Sequence, residues 1–95
     1  MSFVNKPENT DVKFLLETIL KLDNLEDCYN FFEDLCTIKE LIDMGQRLKV
    51  AKLLTEGKTY EQIEKEVLVS SATISRINRC IQYGSGGYKK TLGNL

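Results

Sequence analysis

Apolar residues recur along the chain at helical spacing, and polar capping residues separate the runs. Val12, Leu15, Leu16, Ile19, Leu20 and Leu22 follow a helical period, with Thr10 placed to cap the helix they define. Asp23 and Asn24 interrupt that run. Asn24 then caps a second helix, which carries Glu26 and Asp27 at the positive end of its dipole and has Leu25, Cys28, Tyr29, Phe32 and Leu35 as its inward stripe. Thr37-Ile38-Lys39-Glu40 is a capping box, in which hydroxyl and carboxylate each satisfy a free backbone amide, and it opens a longer helix. Leu41, Met44, Leu48, Ala51 and Leu54 mark the inner face of that helix, and Gly57 stands where a left-handed residue ends it.

A second capping box, Thr59-Tyr60-Glu61-Gln62, opens a helix of barely two turns with Tyr60, Ile63 and Val67 inward. Leu68-Val69-Ser70 makes a tight connection capped by Ser70 or Ser71, and a last strong helix runs from about Ala72 to Tyr83 over Ile74, Ile77 and Ile81. The pattern predicts an all-α fold of about six helices, five of them delimited by caps and stripes, in one domain over residues 1–95. Residues 1–9 read as a frayed start, and Gly84-Ser85-Gly86-Gly87 as a flexible joint near the tail.

The two helices over residues 59–83 have the form of a helix-turn-helix: a short helix, a three- or four-residue turn and a second helix with a polar outer face. Ile63 and Val67 anchor the first, Val69 plugs the turn, and Ile74 and Ile77 anchor the second. At 100° per residue the opposite face presents Ala72, Arg76, Arg79 and Tyr83, flanked by Ser75. The arginines suit guanine edges or phosphates. Ser70, Ser71, Thr73 and Ser75 supply shorter polar contacts, and Lys58 and Thr59 can hold backbone phosphates at the start of the first helix. Two residues depart from the usual unit. Leu68 takes a turn position where glycine is common because the backbone there tends to positive φ, and Glu64 stands where a small residue lets the helices approach. Glu61, Glu64 and Glu66 also put negative charge on the helix that crosses the phosphate backbone, which predicts a weakened or reoriented contact.

Charge sharpens this picture. The 95 residues carry a formal net charge of -1, yet residues 1–46 hold four lysines against ten acids, and residues 47–95 hold nine cations against four acids. From Val67 onward there are four cations (Arg76, Arg79, Lys89, Lys90) and no acid. A segregated basic segment of this kind suits contact with phosphates, the alternative being a solvated basic helix.

Histidine is absent, which removes the usual general base near neutral pH and the commonest zinc ligand. Cys28, Cys36 and Cys80 are odd in number and lack CxxC spacing, so they read as buried or inert thiols rather than as a disulfide framework or a metal site. No nucleophile with a base, paired carboxylates or phosphate loop stands out, so no catalytic residue, cofactor or metal is expected. Free thiols, together with the lack of an apolar leader or membrane-length run, point to the cytoplasm and away from a membrane.

Three marks then carry a resemblance over nearly the whole chain: the turn Leu35-Cys36-Thr37, the QRL-x-VA-x-LL helix at Gln46 to Leu54, and the ATISR segment at Ala72 to Arg76. On these the chain resembles the Trp repressor superfamily, most closely its YerC/YecD group. The resemblance implies an intertwined all-helical homodimer, in which each subunit's outer helices complete the partner's core, and double-stranded DNA as the partner. It also places Thr37, Arg47 and Arg76 on positions that contact the tryptophan corepressor in the family. Ile77 stands where the repressor has a glycine that leaves room for the indole. Asp34 and Cys36 replace apolar pocket-wall residues, and one residue fewer separates Gly57 from the next helix. A tryptophan-like corepressor is therefore not expected, no other small-molecule effector is indicated, and Arg47 and Arg76 are expected to pair with Asp34, Glu40 or phosphate.

The reading is a homodimeric, sequence-specific transcriptional regulator that binds DNA through residues 59–83. The alternative is a protein-interaction module that docks another regulator or a polymerase subunit, with Asp23, Glu26, Asp27, Glu33 and Asp34 as its working surface.

Overall fold

The computed structural model describes residues 10–93, and among these it contains six α-helices and no strand. They are α1 (Thr10–Ile19), α2 (Leu25–Leu35), α3 (Ile38–Thr55), α4 (Tyr60–Glu66), α5 (Ser71–Tyr83) and α6 (Gly87–Thr91). The frayed start expected for residues 1–9 lies outside the described residues. The chain forms two compact units, which divide between Leu41 and Ile42 inside α3.

In the first unit, α1 already includes Thr10, so that residue is helical rather than a cap, and the helix ends at Ile19, before Leu20 and Leu22. Asn24 caps α2 as its sequence position requires: its Oδ1 accepts from the Asp27 amide at 2.8 Å. Neither helix buries a single residue. The inward stripe expected on α2 is only partly covered in one chain: Cys28 and Phe32 are half-buried, whereas Leu25 is 85% and Tyr29 61% exposed. The capping box of α3 forms in full, Thr37 N–H donating to Glu40 Oε1 at 2.8 Å and Glu40 N–H to Thr37 Oγ1 at 3.1 Å.

The second unit holds the core: Val50, Ala51 and Leu53 from α3, Ile63 and Val67 from α4 and its end, and Ile74 and Ile77 from α5. Leu54, Val69, Ile81, Tyr88 and Leu92 pack against it partly buried. The inner face of α3 thus differs from the expected stripe, since Val50 and Leu53 are buried while Leu48 is exposed. Tyr60, expected inward, is at the edge of exposure, and Ile63 alone anchors α4. α3 ends in a Schellman motif: Gly57 has φ +87°, Lys58 N–H donates to Leu53 C=O and Gly57 N–H to Leu54 C=O, both at 3.0 Å. That motif turns the chain directly into the cap of α4.

The glycine-rich joint contains a further helix. Gly86, at φ +86°, precedes α6, and Tyr88 and Leu92 carry this helix onto the core. Gly84 is fixed by contact, not by φ, because a Cβ there would run into the Cys80 carbonyl that its own amide binds at 2.9 Å. The cysteines are free, but none is buried: Cys28 and Cys36 are half-buried and Cys80 is exposed on α5.

Candidate nucleic-acid interface

α4 and α5 form the helix-turn-helix, and local hydrogen bonds define both of its N-termini. Thr59 Oγ1 accepts from the Gln62 amide at 3.1 Å, and Gln62 Oε1 accepts from the Thr59 amide at 2.9 Å. Ser70 is the cap of α5: its Oγ accepts from the Thr73 amide at 3.2 Å and lies 3.1 Å from the Thr73 hydroxyl. Between them, Val69 N–H donates to Val67 C=O at 2.8 Å, closing a γ-turn centred on Leu68. No described residue other than glycine has positive φ. Leucine at the turn is therefore unstrained, because this γ-turn avoids the left-handed conformation that glycine would serve.

Glu64 is likewise harmless, since its side chain is exposed rather than wedged between the helices. Glu66 meets Lys49 at 3.6 Å in a solvent-exposed ion pair, which reduces the negative charge of α4 locally.

α5 buries Ile74 and Ile77 and turns Ala72, Arg76, Arg79 and Tyr83 outward, as the helical spacing predicts. Ser71 is exposed at the first position of the helix, and Ser75 and Thr73 are half-buried. Arg79 Nη1 donates to Ser75 Oγ at 3.4 Å, and Gln82 Nε2 donates to Asn78 Oδ1 at 3.5 Å. These are parallel i, i+4 pairs on the same helix. Neither pairing is among the sequence expectations, although the spacing of both is there to be read.

The candidate residues do not all carry the same duty. Ser70 and Thr73 are committed first to the cap of α5, and Thr59 to that of α4, which leaves each hydroxyl with reduced capacity for another partner. Lys58, Ser71, Arg76 and Arg79 are exposed.

Arg76 and Arg47 come together across a recess of about 340 Å³, lined also by Asp43, Gln46, Leu68, Val69, Ser70 and Thr73. Thr37 is not among the lining residues; its hydroxyl and amide serve the cap of α3. Ile77 does not line the recess either, being only 3% exposed within the core. Among the described residues neither Arg47 nor Arg76 forms an ion pair. Asp43 and Gln46, neither of them a site residue expected from the sequence, supply the recess with a carboxylate and an amide.

The family model described as Trp repressor protein matches residues 10–95. The chain belongs to the Trp repressor family. It is 47% identical over 92 residues to the uncharacterized protein YerC of Bacillus subtilis, covering 97% of this chain and 88% of that protein. Its fold is similar to that of a TrpR-like protein from Eubacterium eligens (TM-score 0.86, 45% identity, 92% of this chain and 90% of that one). A Staphylococcus aureus protein described provisionally as a Trp repressor is equally similar (TM-score 0.87, 42% identity, 97% and 92% coverage). In this member of the Trp repressor family, no described helix is long and apolar enough to cross a membrane, and no described cluster of acids and cysteines could hold a metal ion.

Proposed function

We propose that the chain is a sequence-specific DNA-binding transcriptional regulator that acts as a homodimer through α4 and α5, without catalytic activity. The observation that carries this reading is the outer face of α5. There Arg76 and Arg79 stand exposed beside Ser71 and Ser75, on a helix locked to the core by Ile74 and Ile77, in a segment without acids from Val67 onward. A rigid helix with a basic polar face is what a major groove accepts. Two such helices related by a dimer axis would enter successive major grooves roughly 34 Å apart, at a near-palindromic operator.

The dimer is supported by the bare first unit. α1 and α2 have no fully buried residue in a single chain, and they and the link between them expose Phe14, Leu20, Leu25 and Tyr29, an apolar surface that a second copy would cover. A tryptophan-like corepressor has no part in this reading. The recess between Arg47 and Arg76 has a mainly polar lining with only Leu68 and Val69 apolar, whereas an indole needs apolar walls.

Selection of bound duplexes from a random library by the purified protein tests the proposal. Enrichment of a two-fold symmetric motif is expected. Failure to enrich any sequence at any salt concentration would favour a protein-interaction module instead.

A further inference from the structure

Leu68 is the most exposed large apolar side chain among the described residues, at 91%. One exposed leucine on a protein surface carries no message by itself. Its place does. Among the described residues beyond Leu48 it is the only strongly exposed aliphatic one. It occupies the middle of the γ-turn, between Val67, which is anchored in the core, and Ser70, which caps α5. The turn is therefore held from both sides, and the leucine is carried outward on a fixed backbone. It also shares the rim of one recess with Ser70, Thr73 and Arg76, at the N-terminal end of α5.

We infer that Leu68 is a specificity-determining residue that packs on the C5-methyl group of a thymine at the edge of each half-site. This rests on the reading of the chain as a DNA-binding protein. The surroundings favour the partner: the recess rim that carries Leu68 holds two arginines and two hydroxyl groups against one carboxylate, Asp43, and the chain from Val67 onward has no acid, so an apolar side chain here is complementary to an apolar patch lying among phosphates. In a major groove the thymine methyl is that patch. Glycine, the common residue at this turn, could make no such contact, and the γ-turn is what admits a side chain here without strain.

The test uses the full chain and the duplex it selects. Each selected thymine is replaced in both half-sites by deoxyuridine, which differs only in lacking the methyl group, and affinities are measured for wild type and Leu68→Ala. At one thymine per half-site the replacement is expected to weaken wild-type binding roughly 15-fold, the worth of two buried methyl groups. The same replacement should leave Leu68→Ala unchanged, while Leu68→Met keeps the sensitivity. Unchanged thermal unfolding of the exposed-site variants excludes a folding defect. A motif in which no thymine distinguishes wild type from Leu68→Ala would overturn this assignment while leaving DNA binding intact. Absence of any motif would overturn both.

Discussion

The guanidinium of Arg79 is tethered to the hydroxyl of Ser75 one helical turn earlier, at 3.4 Å, on the outer face of α5. A bond of that length does little for stability, but it restricts a long side chain that otherwise loses entropy on binding. Arg79→Ala should therefore weaken binding to the selected duplex by about 1–3 kcal/mol and relax preference at one base pair per half-site. Arg79→Lys should not restore it, because the planar fork is lost. Ser75→Ala, which frees the guanidinium without removing it, should cost about 1 kcal/mol or less. Fluorescence-anisotropy titration reads all three, and equal affinity for wild type and Arg79→Ala would remove this arginine from the interface.

Ionic strength separates phosphate contact from other forms of association. If Lys58, Arg76 and one further cation of each protomer neutralise phosphates, six counterions leave the duplex. The slope of log affinity against log salt should then be roughly -5. Replacing Lys58 by alanine should make it shallower by about 2 for the dimer, with sequence preference retained. A flat dependence contradicts electrostatic docking of α5.

Tryptophan should leave operator affinity unchanged. The interior beside α5 is filled by Ile77, and the recess that Arg47 and Arg76 share offers Asp43, Gln46, Ser70 and Thr73, with only Leu68 and Val69 apolar, where an indole would need apolar walls. Isothermal titration calorimetry with the free amino acid should give no heat of binding. Saturable binding with a stoichiometry of one per protomer would show that the recess accepts the side chain after all.

How far the sequence alone led can be judged from individual residues. Asn24, Thr37, Thr59, Ser70 and Gly57 were legible because caps and left-handed termini are decided within four residues of chain. The stripe of α5 was legible because a helix packed from one side has one apolar face. α3 was not. Its sequence is apolar on more than one side, and a single 3.6-residue stripe cannot tell Val50 and Leu53, which enter the core, from Leu48, which does not. Leu68 has a different cause, a γ-turn that has no residue signature. α6 was hidden by its glycines, although Tyr88 and Leu92 carry the four-residue spacing of a packed face.

Gly57 and Gly84 should respond to alanine for different reasons. At Gly57 there is open space around the absent Cβ, and the cost is that of holding an L-residue at φ +87°, about 1–2 kcal/mol. Asparagine should recover part of it. At Gly84 φ is ordinary, but the Cβ meets the Cys80 backbone, so asparagine should rescue nothing. The loss of about 1–3 kcal/mol should be accompanied by release of α6 from the core. Chemical denaturation of the single variants and of Gly57→Asn and Gly84→Asn distinguishes conformational strain from collision.

Stability should depend on protein concentration. A 95-residue chain has little apolar surface to bury, and among the described residues the buried ones all lie in the second unit, while α1, α2 and the link between them leave Phe14, Leu20, Leu25 and Tyr29 uncovered. If a second copy covers them, folding and association are coupled, and Tm rises with protomer concentration. Leu25 supplies the sharper test. On an isolated chain Leu25→Lys changes a residue that is 85% exposed, and such a change stays within about 0.5 kcal/mol. In a dimer it places an unpaired ammonium group in an apolar interface, so the variant should elute as a smaller species, unfold at lower temperature and lose the concentration dependence. A wild-type Tm that stays constant over a roughly hundredfold range of concentration, with Leu25→Lys indistinguishable from it, would mean that the first unit is not covered by a second copy.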